Sequence, residues 1–439
     1  MNETEFRQYM LCGHGRCFSV SDNELEKYRD TVLYGCLNDI SYDLQCEGTR
    51  GYYMYELVCR YEDKSYFLEK AAEKFLSPDI DTDWHLICHL CDLISAFAYD
   101  CGNRYAEKTL EEKYSRLYEK IISEAPEGCG ECYEYLAMAL MENSGFDASV
   151  KILEDIGNIF IHLGDGADED EFLWFFHCIC EKFGKEYLSQ QLGIIAEDNE
   201  AIKKICSIMF RKDEEKTVRK APPSADEFIG LAENGSVSRR DVLALRCAGS
   251  SEKIKIANAV ISEKDLNKKA ELLSAFTVRY DPFPLSPEIL IDYYRSENEA
   301  LHNSAADALL YVRAECVHSF AADILKNGYS TEAVLMLINN YRESDKETLL
   351  DILNNIEIDC DNGSGWHNIV LEIVSNFEIF PDEFVFFVYE RSMCSSCRWD
   401  SVNEMIGRSL FTEQLRRECL MDCNEDIREL AESYPSKLV

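Results

Sequence analysis

The sequence predicts an all-α protein, an α-solenoid of stacked antiparallel helix pairs, and three observations lead to it. Apolar residues recur at three- and four-residue spacing along nearly the whole chain, and strict alternation is almost absent. The apolar stretches run for about 10–18 residues between short polar breaks, as helical hairpins do. Proline is scarce, at 9 in 439 residues, which suits a chain that is mostly helix interior.

The elements follow in order. Residues 1–210 read as an N-terminal helical lobe of less regular pattern. Within it, Cys132–Glu142 and Phe146–Ile161, joined at Ser144-Gly145, resemble a tetratricopeptide-type hairpin. Residues 211–226 (RKDEEKTVRKAPPSAD) lose the apolar stripe and contain Pro222-Pro223, so they read as a linker. Residues 227–439 read as a second lobe. Helix starts are signalled by Ser224 with Glu227 and Ser344 with Glu347, which fit the capping box, and by Ser286-Pro287, an N-cap followed by proline.

The C-terminal half carries the pattern most clearly. A helix over about 299–313 presents Leu301, Ala305, Ala308, Leu309 and Val312 on one stripe. Another over about 316–326 ends before Asn327-Gly328, a C-cap and turn. Residues 330–341 bury Val334, Leu337, Ile338 and Tyr341, and 345–356 bury Leu349, Leu350, Leu353 and Ile356. Each helix has too little apolar face to stand alone, so neighbours must cover one another. In helix length and in placement of small residues, the stretch from about 285 to 434 resembles HEAT-type helical repeats. Its last unit, Asn424-Glu425-Asp426-Ile427-Arg428-Glu429-Leu430-Ala431, is similar to the Asp/Arg/Ala signature of a repeat's second helix. The resemblance implies an architecture and leaves the function open.

Composition narrows the classes of function. Apolar residues make up 46% and charged residues 29%, which is globular rather than disordered. Lys and Arg number 45 against 82 Asp and Glu, for a net charge of −37. The acid is spread over both halves of the chain. Such a surface repels phosphate backbones and anionic membrane faces and favours a basic protein partner. Some HEAT-like proteins are DNA glycosylases with a basic concave face, and this charge argues against that use. The N-terminus has no basic and apolar leader pattern, and no apolar run approaches the ~20 residues a membrane span needs. The 20 cysteines therefore read as reduced thiols of a cytoplasmic protein, most of them small core hydrophobes.

Several clusters could carry chemistry. Cys394 and Cys397 form a C-x-x-C, and Cys419 with Cys423 form a second close pair; four thiolates of this kind would suit tetrahedral zinc. The same spacings also suit core positions on helices. His85, Cys88, His89 and Cys91 share an apolar helix and read as core. Cys129 and Cys132 lie at a helix start, without the strand context of a redox C-x-x-C, and Cys178 and Cys180 read as structural. The most unusual local composition is Cys-Gly-His-Gly-Arg-Cys at 12–17, with a polar run around Gly48 and Gly51. Here His14, Arg16, Asp43, Gln45, Glu47, Arg50 and Tyr52 are a candidate ligand pocket. The competing reading is a pair of interhelix turns held by capping acids and an Arg–Glu pair. The acidic stretches at 165–171 and 359–365 depart from the calcium-loop pattern and read as loops.

Walker A, Rossmann, Gly-x-Ser-x-Gly and His-Glu-x-x-His motifs are missing. The expected function is a protein–protein interaction scaffold or adaptor that binds a basic protein or peptide segment. The rival is an enzyme or zinc-binding protein using the N-terminal polar cluster or the four late cysteines. A third reading is an acidic inhibitor that mimics nucleic acid.

Overall fold

A computed structural model describes residues 1–124, 129–164, 172–211, 223–277, 282–356 and 363–434. Among the described residues the regular structure is entirely helical, with no strand. None of these helices is long and apolar enough to cross a membrane. The chain divides into two compact units. The first is built from residues 1–215, 393–402 and 408–439, and the second from 216–392 and 403–407.

The first unit is organised around the helix Trp84–Tyr99. It is apolar nearly all round: Ile87, Cys88, Leu90, Cys91, Leu93 and Ile94 are wholly buried, as a helix covered on every side requires. Asp83 caps it by accepting from the Leu86 amide. Gly51–Val58, Lys64–Phe75, Arg104–Glu124 and Cys129–Glu142 pack against it. The expected hairpin appears as Cys129–Glu142 and Phe146–Leu163, the latter packed on Glu200–Met209.

The second unit runs from Ala225–Glu233 to Asp382–Arg391. Ser250–Ser262 pairs with Leu266–Leu273, Pro287–Tyr294 with Glu299–Leu310, and Glu315–Leu325 with Thr331–Asn339. The second members also pack on one another in succession, Leu266–Leu273 on Glu299–Leu310, then on Thr331–Asn339, then on Gly363–Val374. Most of the stripes anticipated from spacing are buried, namely Leu301, Ala305, Ala308, Leu309, Val312, Val334, Leu337, Ile338, Leu349 and Leu353. Tyr341, Leu350 and Ile356, expected to be buried with them, are only partly so, because they lie at the edges of their stripes or beyond the helix ends.

Several local details differ from the sequence reading, each for a stated reason. The 299–313 helix closes at Leu310, because Asn340 takes over the following backbone, accepting from the Ala314 amide and donating to the Val312 carbonyl. Ser224 and Glu227 do form a capping box. Ser344 does not start its helix. A short 3-10 turn precedes Lys346–Asn355, and its Asp345 carboxylate accepts from the Arg342 amide and from His318. The Asp/Arg/Ala unit, Glu425–Ser433, packs within the first unit rather than the second. Most of the 211–226 linker, and most or all of both acidic loops, lie outside the described residues.

Candidate functional site

The N-terminal polar cluster is met, inside the first unit, by residues of the C-terminal segments 393–402 and 408–434. The turn after Glu3–Leu11 carries Gly13 at a φ of +68°, a left-handed backbone that only glycine adopts cheaply. A Cβ there would collide with the Cys423 sulfur, and one at Gly15 with the Glu418 carbonyl oxygen. The two glycines of Cys-Gly-His-Gly-Arg-Cys are therefore there for contact. They let this turn lie flat on the Glu413–Cys419 helix and the loop behind it, where the Cys423 amide donates to the Gly13 carbonyl at 2.9 Å.

Two buried guanidiniums anchor this contact. Arg50, 2% exposed, donates to the Leu11 carbonyl, to the Met393 carbonyl at 2.7 Å, and to Glu47 Oε2 at 3.4 Å. Glu47 is completed by the Ser395 amide at 2.9 Å and the Asp43 amide at 3.1 Å. Arg398, wholly buried, forks onto Asp422 at 2.8 and 3.3 Å and reaches Cys423 Sγ at 3.4 Å. Each charge is thus matched by an opposite charge and by oriented dipoles, the condition for burying it at all.

The remaining groups fit the same design. His14 accepts from the Arg16 amide at Nδ1, and its carbonyl receives the Tyr53 hydroxyl. Burial, then the nearby Arg398 and Arg16, hold its imidazole well below the usual histidine range, so it is neutral. Arg16 donates to Glu418 at 3.0 Å and to the Tyr9 hydroxyl at 2.7 Å. It lines a surface hollow of about 790 Å³ together with Glu413, Gln414 and Arg417. Burial raises the Cys423 thiol to about 11 against the pull of Arg50 and Arg398, and burial raises Cys17 to about 12.

Of the predicted pocket residues, His14, Arg16, Glu47 and Arg50 share this clasp, and Asp43 joins through its amide. Tyr52 points outward and is 48% exposed. The side chain of Gln45 is outside the described residues. Arg398, Asp422 and Glu418 had no signal in the sequence, because each is an ordinary charged residue in a helical pattern. Glu418 takes up its role only once it is brought to Arg16, 402 positions away, and Arg398 only once it meets Asp422 across 24 positions.

The four late cysteines separate by environment. Cys394 and Cys397 have their sulfurs within 4.8 Å of each other, and among the described residues neither Cys419 nor Cys423 joins them in such a grouping. Cys419 is wholly buried, and Cys423 faces Arg398. In the Trp84–Tyr99 helix, Cys88, His89 and Cys91 are buried, while His85 is exposed and 3.4 Å from Asp39.

The second unit holds a different feature, a groove of about 880 Å³. It is bounded by Arg239–Ala244, Leu266–Leu273 and Glu299–Leu310, and lined by side chains that include Arg239, Asn267, Glu271, Asn303 and Tyr311. A second hollow of about 660 Å³ shares Tyr311 and continues toward Arg313, Asn339 and Asn376. There Arg313 donates to Asn376 Oδ1 at 2.8 Å. The lining mixes polar and apolar side chains, those of the first groove mostly on helices and those of the second hollow mostly on the turns between them. Comparison of the chain with protein-family models, with curated proteins and with solved structures finds no match to any of them.

Proposed function

We propose that this chain is an interaction scaffold whose second unit is a short α-solenoid, and that the groove along its successive second helices receives an extended, basic segment of another protein. The observation that carries the reading is the 880 Å³ groove, where Asn267, Glu271 and Asn303 stand beside apolar side chains, and its continuation through Tyr311. Stacked helix pairs leave one row of helices facing such a surface, and that row presents side chains at regular intervals to a bound strand. The net charge of −37 favours a basic partner and speeds its approach.

The test is a pull-down at low and at high salt with the full chain and with Asn303→Trp. Asn303 is exposed in the groove, so the indole fills it without disturbing the core. Expected is a basic partner retained by the full chain, weakened by salt and lost in the variant. Recovery of salt-insensitive partners alone, or equal retention by N303W, sinks the reading.

A further inference from the structure

The Cys394–Cys397 pair differs from the other cysteines of the fold. Most thiols here are small core groups: Cys36, Cys88, Cys91 and Cys132 are fully buried, and burial drives their pKa values upward. The chain has a second C-x-x-C, Cys129 and Cys132, which serves as an internal comparison. Both of its sulfurs are wholly buried and both thiols are pushed up. That pair behaves as core.

Cys394 and Cys397 are arranged otherwise. Cys394 immediately precedes the helix Ser395–Gly407, in the N-cap position, and is only partly buried, whereas Cys397 one turn on is 2% exposed. The Cys394 sulfur accepts from the Cys397 amide at 3.4 Å. It also takes the Cys397 thiol's hydrogen bond, and this bond, with the amide's, pulls Cys394 down to about 7. Cys397 moves upward for the complementary reason, since it keeps the shared proton and is buried. Cys394 is thus the partly buried thiol at the helix start, drawn toward ionisation by the amide and thiol that donate to it, and Cys397 is the buried one that donates. This is the division of labour between an attacking and a resolving thiol.

We propose that Cys394 and Cys397 are a redox-active dithiol that reduces a disulfide, with Cys394 as nucleophile and Cys397 as resolving thiol. In the first step the Cys394 thiolate attacks one sulfur of the disulfide. A Cys394–S bond forms, the substrate S–S bond breaks, and the leaving thiolate takes the Cys397 proton. The Cys397 thiolate then attacks the Cys394 sulfur, closing the Cys394–Cys397 disulfide and expelling the second substrate thiolate. Two electrons pass from the dithiol to the substrate, and one S–S bond is exchanged for another.

The experiment uses the full reduced chain, with oxidised glutathione as the small disulfide and insulin as the protein disulfide. Alkylation with light and heavy iodoacetamide is mapped by mass spectrometry. Cys394 is expected to alkylate with a midpoint near pH 7 and, at neutral pH, more than about tenfold faster than Cys129 or Cys132. Exposure to oxidised glutathione should yield one intramolecular Cys394–Cys397 disulfide. In Cys397→Ser it should yield a mixed disulfide held at Cys394, and in Cys394→Ser none. Turnover of insulin but not of glutathione, or the reverse, identifies the substrate's source and supports the proposal. Three results on the unmodified chain overturn it, whatever the variants do: Cys394 alkylating no faster than Cys129, both thiols surviving each disulfide, or stoichiometric zinc released when the pair is alkylated.

Discussion

At the scale of single residues, the structure stores its tightest constraints in two glycines and two buried titratable groups. Gly13→Ala and Gly15→Ala should each lower stability by about 1–3 kcal/mol in urea unfolding, since the added methyl meets a sulfur or a backbone carbonyl that has no room to retreat. Asp92, in the Trp84–Tyr99 helix, is raised to about 6 by burial, although Thr49 and Tyr135 hydroxyls hold it from the other side. Its folded value lies above the ordinary one, so the stability it adds is full below about pH 4 and lost as pH rises through about 6. Asp92→Asn should therefore gain on the parent chain by about 3 kcal/mol between pH 4 and pH 7, and parallel curves would refute the assignment. His89, one turn earlier and bonded to the Gly35 carbonyl, has the opposite sign. Burial lowers it to about 4, so its contribution is present above pH 6.5 and lost as pH falls through about 4. Replacing His89 with Gln should remove an acid-side loss that Asp92→Asn leaves untouched.

At the scale of elements, the helices were legible and their partners were not. Spacing found the buried stripe of Glu299–Leu310 because Leu301, Ala305, Ala308 and Leu309 recur on one face, a local property. The end of that helix was missed because Asn340, a residue from a later helix, caps the backbone beyond it. The Arg50–Glu47 pair was visible as a local spacing, whereas Arg398–Asp422 was not, being a contact across 24 positions between a helix and a loop. Composition did mark residues 12–17 as unusual, but whether that oddity meant a pocket or a contact depended on residues 413–423. Arg398→Met should cost about 3–5 kcal/mol, because Asp422 is left charged, buried and unmatched. The double variant with Asp422→Leu should recover much of that loss. Equal stabilities of the single and double variants would show that the pair is not coupled.

At the scale of the whole molecule, charge dominates. A chain at −37 repels itself, so raising salt from low to physiological strength should increase the unfolding temperature, and a fall would show that attractive pairs outweigh the repulsion. Deleting residues 408–439 should open the first unit where Glu418 and Cys423 cover the Cys12–Cys17 turn. The alkylation rates of those two buried thiols in native buffer should then rise more than about tenfold, and unchanged rates would mean the cover is dispensable. The clasp also sets an order of events during synthesis. When Arg16 leaves the ribosome, its acidic partner is still 402 positions away, so the first unit cannot be completed while its early helices emerge. The second unit, encoded between the two halves of the clasp, has all its residues available first and is placed to fold while the other waits.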